Sequence, residues 1–380
     1  MKIKPLRACF PHLEKVESSD IFCEEAKNRY NQYVEEGLYE KVPQPAVFIY
    51  QIQSVTGIHT GLVALNEVDD FFAGKVKKHE ATLSEREKHQ AELFMRWGAI
   101  LKPVLLTYPP VEDISAWLNA QISGQKPLFV AKFKQGKVHH RVWAVTNEQA
   151  IAQVQSLFVQ HVKSTYIADG HHRTTTIATL HEQREQFPGF DFDHLFCAFF
   201  ASDQLDILDY NRAVELPKDL SPARFMARLS EVFHITCLPE ARRPADKHEL
   251  VMCLRKEWYA LHFRPEILQG LDEENVLLDA TLLNQLVLGK IMHIRDVRSD
   301  NRVTYVDGSK GLEGLAKAAR GRNKAGFALY PVHFSDMMDL ADAGEILPPK
   351  STYFEPRLKS GMLVQLLTVD GRRLTVDGGR

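Results

Sequence analysis

The spacing of apolar and polar positions divides the chain into short elements. "EEAKNRYNQYVEEG" (24–37) keeps its apolar residues on one helical face and stops at Gly37, where a left-handed turn can end a helix. "AVFIYQIQSVTGIHTGLVALN" (46–66) reads as a hairpin, two β-rich runs around Thr56–Gly57, with a short helical stretch after it at 68–72. Ser84 and Glu87 have capping-box spacing, Leu93, Phe94 and Trp97 share a face, and Gly98 offers a stop, which together predict a helix. "KPVLLTYPP" (102–110) is apolar without alternation, as a buried strand would be. "FVAKFKQGKVHHRVWAV" (129–145) alternates as a second hairpin turning at Gln135–Gly136, and 147–161 is helical. In that hairpin His139 and His140 point to opposite faces and cannot share a metal.

"TYIADGHHRTTTIATL" (165–180) then runs from strand to helix, the helix ending near Pro188–Gly189. "HLFCAFFASDQLDILDYNRAVEL" (194–216) supplies two more strands. Beyond about residue 215 helical segments are expected to predominate, among them the amphipathic "DATLLNQLVLGKI" (279–291). The expected class is α/β (α+β), a mixed-sheet core over 1–215 and an α+β domain over 216–380.

Length supports two domains, because 380 residues exceed what one hydrophobic core usually holds. The net charge of −2 gives no general attraction to nucleic acid or to an anionic membrane, so anion binding has to come from a local cluster. The expected partner is a small-molecule substrate. Cys9, Cys23, Cys197, Cys237 and Cys253 lack CxxC spacing and read as free thiols of a reducing cytosol. The N-terminal residues lack a signal-peptide pattern and no run is long enough to span a membrane, so the expected location is cytoplasmic. HExxH, GxSxG and a Cys-His nucleophile pattern are missing, which disfavours a metalloprotease or a serine hydrolase.

The chemistry concentrates at 169–174. A strand that meets Asp169 and Gly170 at the mouth of a helix makes an anion-binding geometry, since the helix start presents unpaired N–H groups. Gly170 permits a tight turn, Arg173 offers a fork of donors, an imidazole can add one, and Thr174 can cap or donate. Asp169 would repel a bare phosphate, which calls for Mg2+ between them. The competing reading makes Asp169 a cap and His-His-Arg a solvated first turn, although cations are disfavoured at that end of the dipole. In "KKHEAT", Lys78 and His79 precede Glu80, a candidate general base whose alternative is a solvated loop. In "LPPKSTYF" (347–354), Lys350 could reach a phosphate, and structural packing is the alternative. "YVDGSKGLEGL" (305–315) matches neither phosphate-loop pattern and is read as helix capping.

Six segments, "KKHEAT", "YIADGHHR", "DQLDILDYNR", "RSDNRVTYV", "FALYPV" and "ILPPKSTYFEPRLKSG", occur in this order in domain-of-unknown-function family 1015 of bacteria and archaea, and the chain is identified as a member over about 57–367. Relatives carry a "PYDV"-like segment where this chain reads "VESSDIFCEEAKNRY". The family resembles the ParB/sulfiredoxin-like fold through "GAILKPVLLTY" and "IADGHHRTTTIA". Free serine kinases of that superfamily have a similar Asp-Gly-His-x-Arg loop and a glutamate before the preceding helix. The matching positions are Asp169, Gly170, His171 and Arg173, with Glu80 as the glutamate. His171 stands where sulfiredoxin has its cysteine, which argues against sulfiredoxin chemistry and leaves His172 and Arg173 as the phosphate grip.

The resemblance implies a phosphotransferase acting on a small hydroxyl compound, free L-serine first, with ATP, ADP or pyrophosphate and Mg2+. Glu80, Asp169 and His171 would be catalytic; Gly170, His172, Arg173 and Thr174 would hold phosphate; Lys78, His79, Lys350, Ser351, Thr352 and Tyr353 would line the cleft. A nucleotide-binding regulatory module and a degenerate family member are the alternatives.

Overall fold

The apolar runs of the first half become strands of one large sheet. In the computed structural model, which describes residues 1–134, 137–269 and 278–368, the chain divides into two compact units. The first comprises Met1–Asp206 and the segment returning at Pro356, and the second comprises Ile207–Glu355. The chain thus comes back to its first unit, where the sequence pattern suggested a single crossing near 215.

The first unit begins with β1 (Ile3–Lys4), β2 (Cys9–Pro11), α1 (Ser19–Glu35), β3 (Tyr39–Lys41), β4 (Val47–Gln53) and β5 (Ile58–Glu67). Next come α2 (Asp69–Phe72), β6 (Val76–Lys77), α3 (Ser84–Trp97), β7 (Ala99–Ile100), β8 (Val104–Tyr108) and α4 (Glu112–Ile122). They are followed by β9 (Phe129–Phe133), β10 (Val138–Val145), α5 (Glu148–His161), β11 (Thr165–Asp169), α6 (His171–Glu182) and β12 (His194–Ala201). The sheet runs β6-β11-β8-β12-β5-β4-β10-β9, with β1 also on β5. It is mixed: β6–β11 and β8–β12 are parallel and the other pairs antiparallel. Every residue of β8 is buried, as are all but the first of β12, which explains why these stretches read as unbroken apolar runs. Gly61 of β5 lets that strand pass Phe200, since a Cβ there would lie 2.5 Å from the ring.

Two local expectations changed. Helix α3 starts at Ser84 with extended Leu83 as its N-cap and no side-chain cap, so the Ser84–Glu87 capping box does not form. Gly98 ends the helix at φ +60, as its position suggested. The expected turn at Gln135–Gly136 lies outside the described residues.

The second unit continues from β13 (Asp206–Leu208) into β14 (Tyr210–Glu215), α7 (Pro222–Ser230), β15 (Phe233–Leu238), β16 (Glu249–Leu254), β17 (Glu257–Phe263) and α8 (Pro265–Gln269). It resumes with α9 (Asp279–Leu282), extended by a π-helical turn, then β18 (Val303–Asp307), α10 (Gly311–Ala318), β19 (Lys324–Ala328), α11 (Phe334–Asp342) and β20 (Tyr353–Glu355). Strands β15-β17-β16-β19-β14-β18 form an antiparallel sheet, so this half is not dominated by helices. Strand β16 is buried at all six positions and so shows no alternation that would mark it as a strand. One sheet face carries Leu250, Met252 and Phe327 under α7 and α9, and the other carries Val251, Ala213 and Ala328 under α10. Finally β21 (Gln365–Leu366) pairs with β7 in the first unit.

Candidate active site

Strand pairing assembles the conspicuous residues. In the parallel pair, Thr165 of β11 faces Val76 of β6 and Tyr166 faces Lys77. Their C-terminal ends therefore emerge side by side, the position where open α/β sheets bind ligands. From β6 the chain continues as Lys78, His79 and Glu80, and from β11 as Gly170 into α6. Strand β8 runs antiparallel to β11 with Leu105 facing Asp169, which brings Lys102 and Pro103 against the loop.

Gly170 is the N-cap of α6 at φ +113, and no side chain caps the helix. Asp169 has another role. Its Oδ2 accepts from Lys102 Nζ at 2.8 Å and Arg173 Nη2 at 3.0 Å. Arg173 Nη2 also points at Pro103 O (3.3 Å) and Asp169 O (3.4 Å), and its buried Nε has no hydrogen-bond partner among the described residues. Burial alone would raise the Asp169 carboxyl, but Lys102, Arg173 and Arg357 outweigh it and hold the group well below the usual carboxylate range. Burial pulls the Lys102 ammonium down, against the pull of Asp169. The cations at this helix start are thus tied by an internal carboxylate, which offsets their unfavourable place on the dipole.

The second half of the site is built on two buried imidazoles and a carboxylate. His171 is 6% exposed, and burial drives its imidazole pKa well down, so the ring is neutral. Its Nδ1 stands 3.8 Å from Glu80 Oε2, and its ring meets His79 edge-on at 4.6 Å. Burial lowers His79 to about 4. Glu80 remains one-third exposed, a carboxylate with two neutral imidazoles behind it.

Three expected roles change in the structure. His172 Nε2 accepts from Leu83 N–H at 3.2 Å, so this ring ties the segment before α3 to α6. Thr174 is fully buried and its hydroxyl donates back to Gly170 O at 3.3 Å, which removes it from any ligand-facing set. Among the described residues no group of three or more His, Cys, Asp or Glu could hold a metal ion. A divalent ion on Asp169 Oδ2 would have to displace Lys102 or Arg173, so the donor set does not fit a resident Mg2+.

Lys78 is exposed just beyond β6. Lys350 to Tyr353 belong to the second unit: Lys350 Nζ lies 5.7 Å from the Tyr210 ring, Tyr353 packs edge-on against Tyr210, and Ser351 Oγ donates to Pro348 O. Thr352 is half-buried in the same turn. Lys102 and Arg357 were not among the expected residues. Strand register brings Lys102 to Asp169 across 67 positions. Its one sequence signal is a lone lysine at the mouth of a buried strand.

The fold and the loop define an α/β protein with a cation-lined turn at paired strand ends. The chain belongs to the family described as "Protein of unknown function (DUF1015)", whose model matches residues 7–285. No curated protein matches the sequence significantly. Among solved structures it is similar to C-terminally truncated SbnI from Staphylococcus aureus, at 12% identity and TM-score 0.42 over 80% of this chain and 87% of that one. It is also similar to a free serine kinase in complex with AMP, at 15% identity and TM-score 0.39 over 77% and 86%. A conserved hypothetical protein from Pyrococcus furiosus stands at 14% and 0.39 over 80% and 95%. At these values the likenesses carry no argument about chemistry.

Proposed function

We propose that the chain is a phosphotransferase that moves a phosphoryl group from a nucleotide or pyrophosphate to a small hydroxyl compound, with free L-serine as the first acceptor to test. The observation that carries this reading is the parallel β6–β11 pair, which sets the Glu80 carboxylate beside the Asp169–Arg173 loop. The first N–H groups of α6 and the Arg173 guanidinium would hold the donor phosphates. Asp169, itself held by Lys102, fixes Arg173, so the grip is set before the donor arrives. Glu80 would take the acceptor proton as the acceptor oxygen bonds to phosphorus and the bridging P–O bond breaks toward the leaving phosphate. The buried imidazoles of His171 and His79, both with pKa values lowered by burial, stand behind Glu80 and leave one-third of its side chain open to an incoming acceptor. Any Mg2+ would arrive with the donor's phosphates as part of the substrate. The sequence resemblance to free serine kinases at Asp169, Gly170, His171 and Arg173 supports the same reading.

The test incubates purified protein with L-serine, Mg2+ and ATP, ADP or pyrophosphate, and measures O-phosphoserine by 31P NMR. Product is expected with at least one donor, and Glu80→Gln should lower turnover about 10²–10⁴-fold with donor affinity kept. No product from any donor sinks the serine version. Donor binding without product leaves the regulatory reading.

A further inference from the structure

The second unit holds a cavity of about 690 Å³ that the reading above does not use. It arises because α10 packs on β18, β14 and β19, leaving the β16–β17 side of that sheet face open. Among the described residues Arg255, Lys256, Lys317, Arg320 and Arg322 line it, with Glu313 as the one carboxylate and half-exposed Trp258 in its wall. None of the five cations makes an ion pair or a side-chain hydrogen bond among the described residues, whereas Lys247, Arg242 and Arg302 elsewhere in this unit are paired with acids.

Helix capping explains part of this charge, because Lys317, Arg320 and Arg322 lie at the C-terminal end of α10, where cations are favourable. It does not explain Arg255 and Lys256. Leu254 faces Glu257, so these two form a two-residue hairpin turn, at φ +52 and +72. Asn-Gly fills such a turn without strain; L-residues with a full side chain cost about 1–2 kcal/mol each. The chain keeps two long cations there, at the rim of the cavity.

We propose that this basin binds a nucleoside polyphosphate, its phosphates on the cation cluster and its base on Trp258. The volume falls within the range of small-molecule sites, and an indole face accepts any base. The five cations sit in a chain of net charge −2, so the charge is local and matches a compact polyanion better than an extended strand. The proposal is independent of the phosphotransferase reading, which uses the other unit.

The full chain is titrated by calorimetry with ATP, without Mg2+, in the Arg173→Ala background that removes the first grip. One saturable ATP site is expected to remain, and Lys317→Glu with Arg320→Glu should weaken it by at least about tenfold. These positions are exposed, and circular dichroism confirms that the variant is folded. Trp258→Leu should weaken ATP binding and leave inorganic tripolyphosphate binding unchanged. An absent site, or ATP affinity untouched by the charge reversals, overturns the proposal. Tripolyphosphate binding as tightly as ATP removes the base from it. A single-stranded RNA oligonucleotide that displaces ATP at lower concentration overturns it in favour of a nucleic-acid surface.

Discussion

The Asp169 loop and the Trp258 basin are both cationic, yet they carry their charge in opposite ways. In the loop Lys102 and Arg173 are largely buried and share one carboxylate oxygen. In the basin five cations face solvent with no acid paired to them among the described residues. A buried cation needs an internal counter-ion, so the loop's geometry is fixed before any ligand arrives. Exposed cations cost little in water, so the basin's charge can wait for a ligand to neutralise it. Breaking the first should therefore be read in stability, and breaking the second in binding.

The largest expected effect follows directly. Asp169→Asn leaves Lys102 and Arg173 beside each other without their carboxylate, and should cost about 2–3 kcal/mol, less than a wholly buried pair because Asp169 is 29% exposed. Urea unfolding measures it. Adding Lys102→Met should recover part of the loss, since only one cation then lacks a partner. Arg320→Ala in the basin should move stability by less than about 0.5 kcal/mol. Equal losses at the two sites would erase the distinction.

Acid should separate them next. His79 has a folded pKa of about 4 against an ordinary value of 6.5, because burial disfavours its charged form. The unfolded chain therefore binds the proton more readily, and the stability that His79 contributes is intact above pH 6.5 and lost as pH falls from 6.5 toward 4. At pH 5 the loss is about 2 kcal/mol. His140, lowered to about 3 by burial, adds in the same direction. Melting temperature followed from pH 7 to 5 should fall, and fall less in His79→Leu. No histidine is among the described residues that line the basin, so its affinity for a polyanion should follow mainly the ligand's own ionisation.

How much of this was legible depended on whether a residue's role is set by its neighbours in sequence or across the sheet. Strands β4, β5, β8 and β10 and helices α3 and α5 follow from local pattern and were readable from it. The Asp169–Arg173 loop was readable too, because a glycine and a cluster of charges interrupt an apolar strand. Lys102 was not, since its partner is chosen by the β8–β11 register. Thr174 looked like a phosphate donor, but its place one turn after Gly170 turns the hydroxyl back on the helix. The basin is invisible in sequence, because Arg255–Lys256 and Lys317–Arg322 are joined only by the packing of α10 on its sheet.

The smallest difference concerns two glycines, one in each site. Gly170 has φ +113, and a Cβ there would come within 2.6 Å of Arg173 Nη2. Gly321 in the basin has φ +146, and the nearest atom to its Cβ would be Lys324 Cγ at 3.6 Å. Alanine strains the backbone in both places, by about 1–2 kcal/mol. Only at Gly170 must a guanidinium also move, and its long side chain can do so at little steric cost, by leaving Asp169. Gly170→Ala should thus lose more stability than Gly321→Ala, because a largely buried guanidinium also gives up its carboxylate, and it alone weakens donor binding to the loop, by about tenfold for one displaced charge-assisted contact. Titration of both variants in the Lys317→Glu, Arg320→Glu background isolates the loop. Wild-type donor affinity in Gly170→Ala would mean that Arg173 does not hold the phosphates.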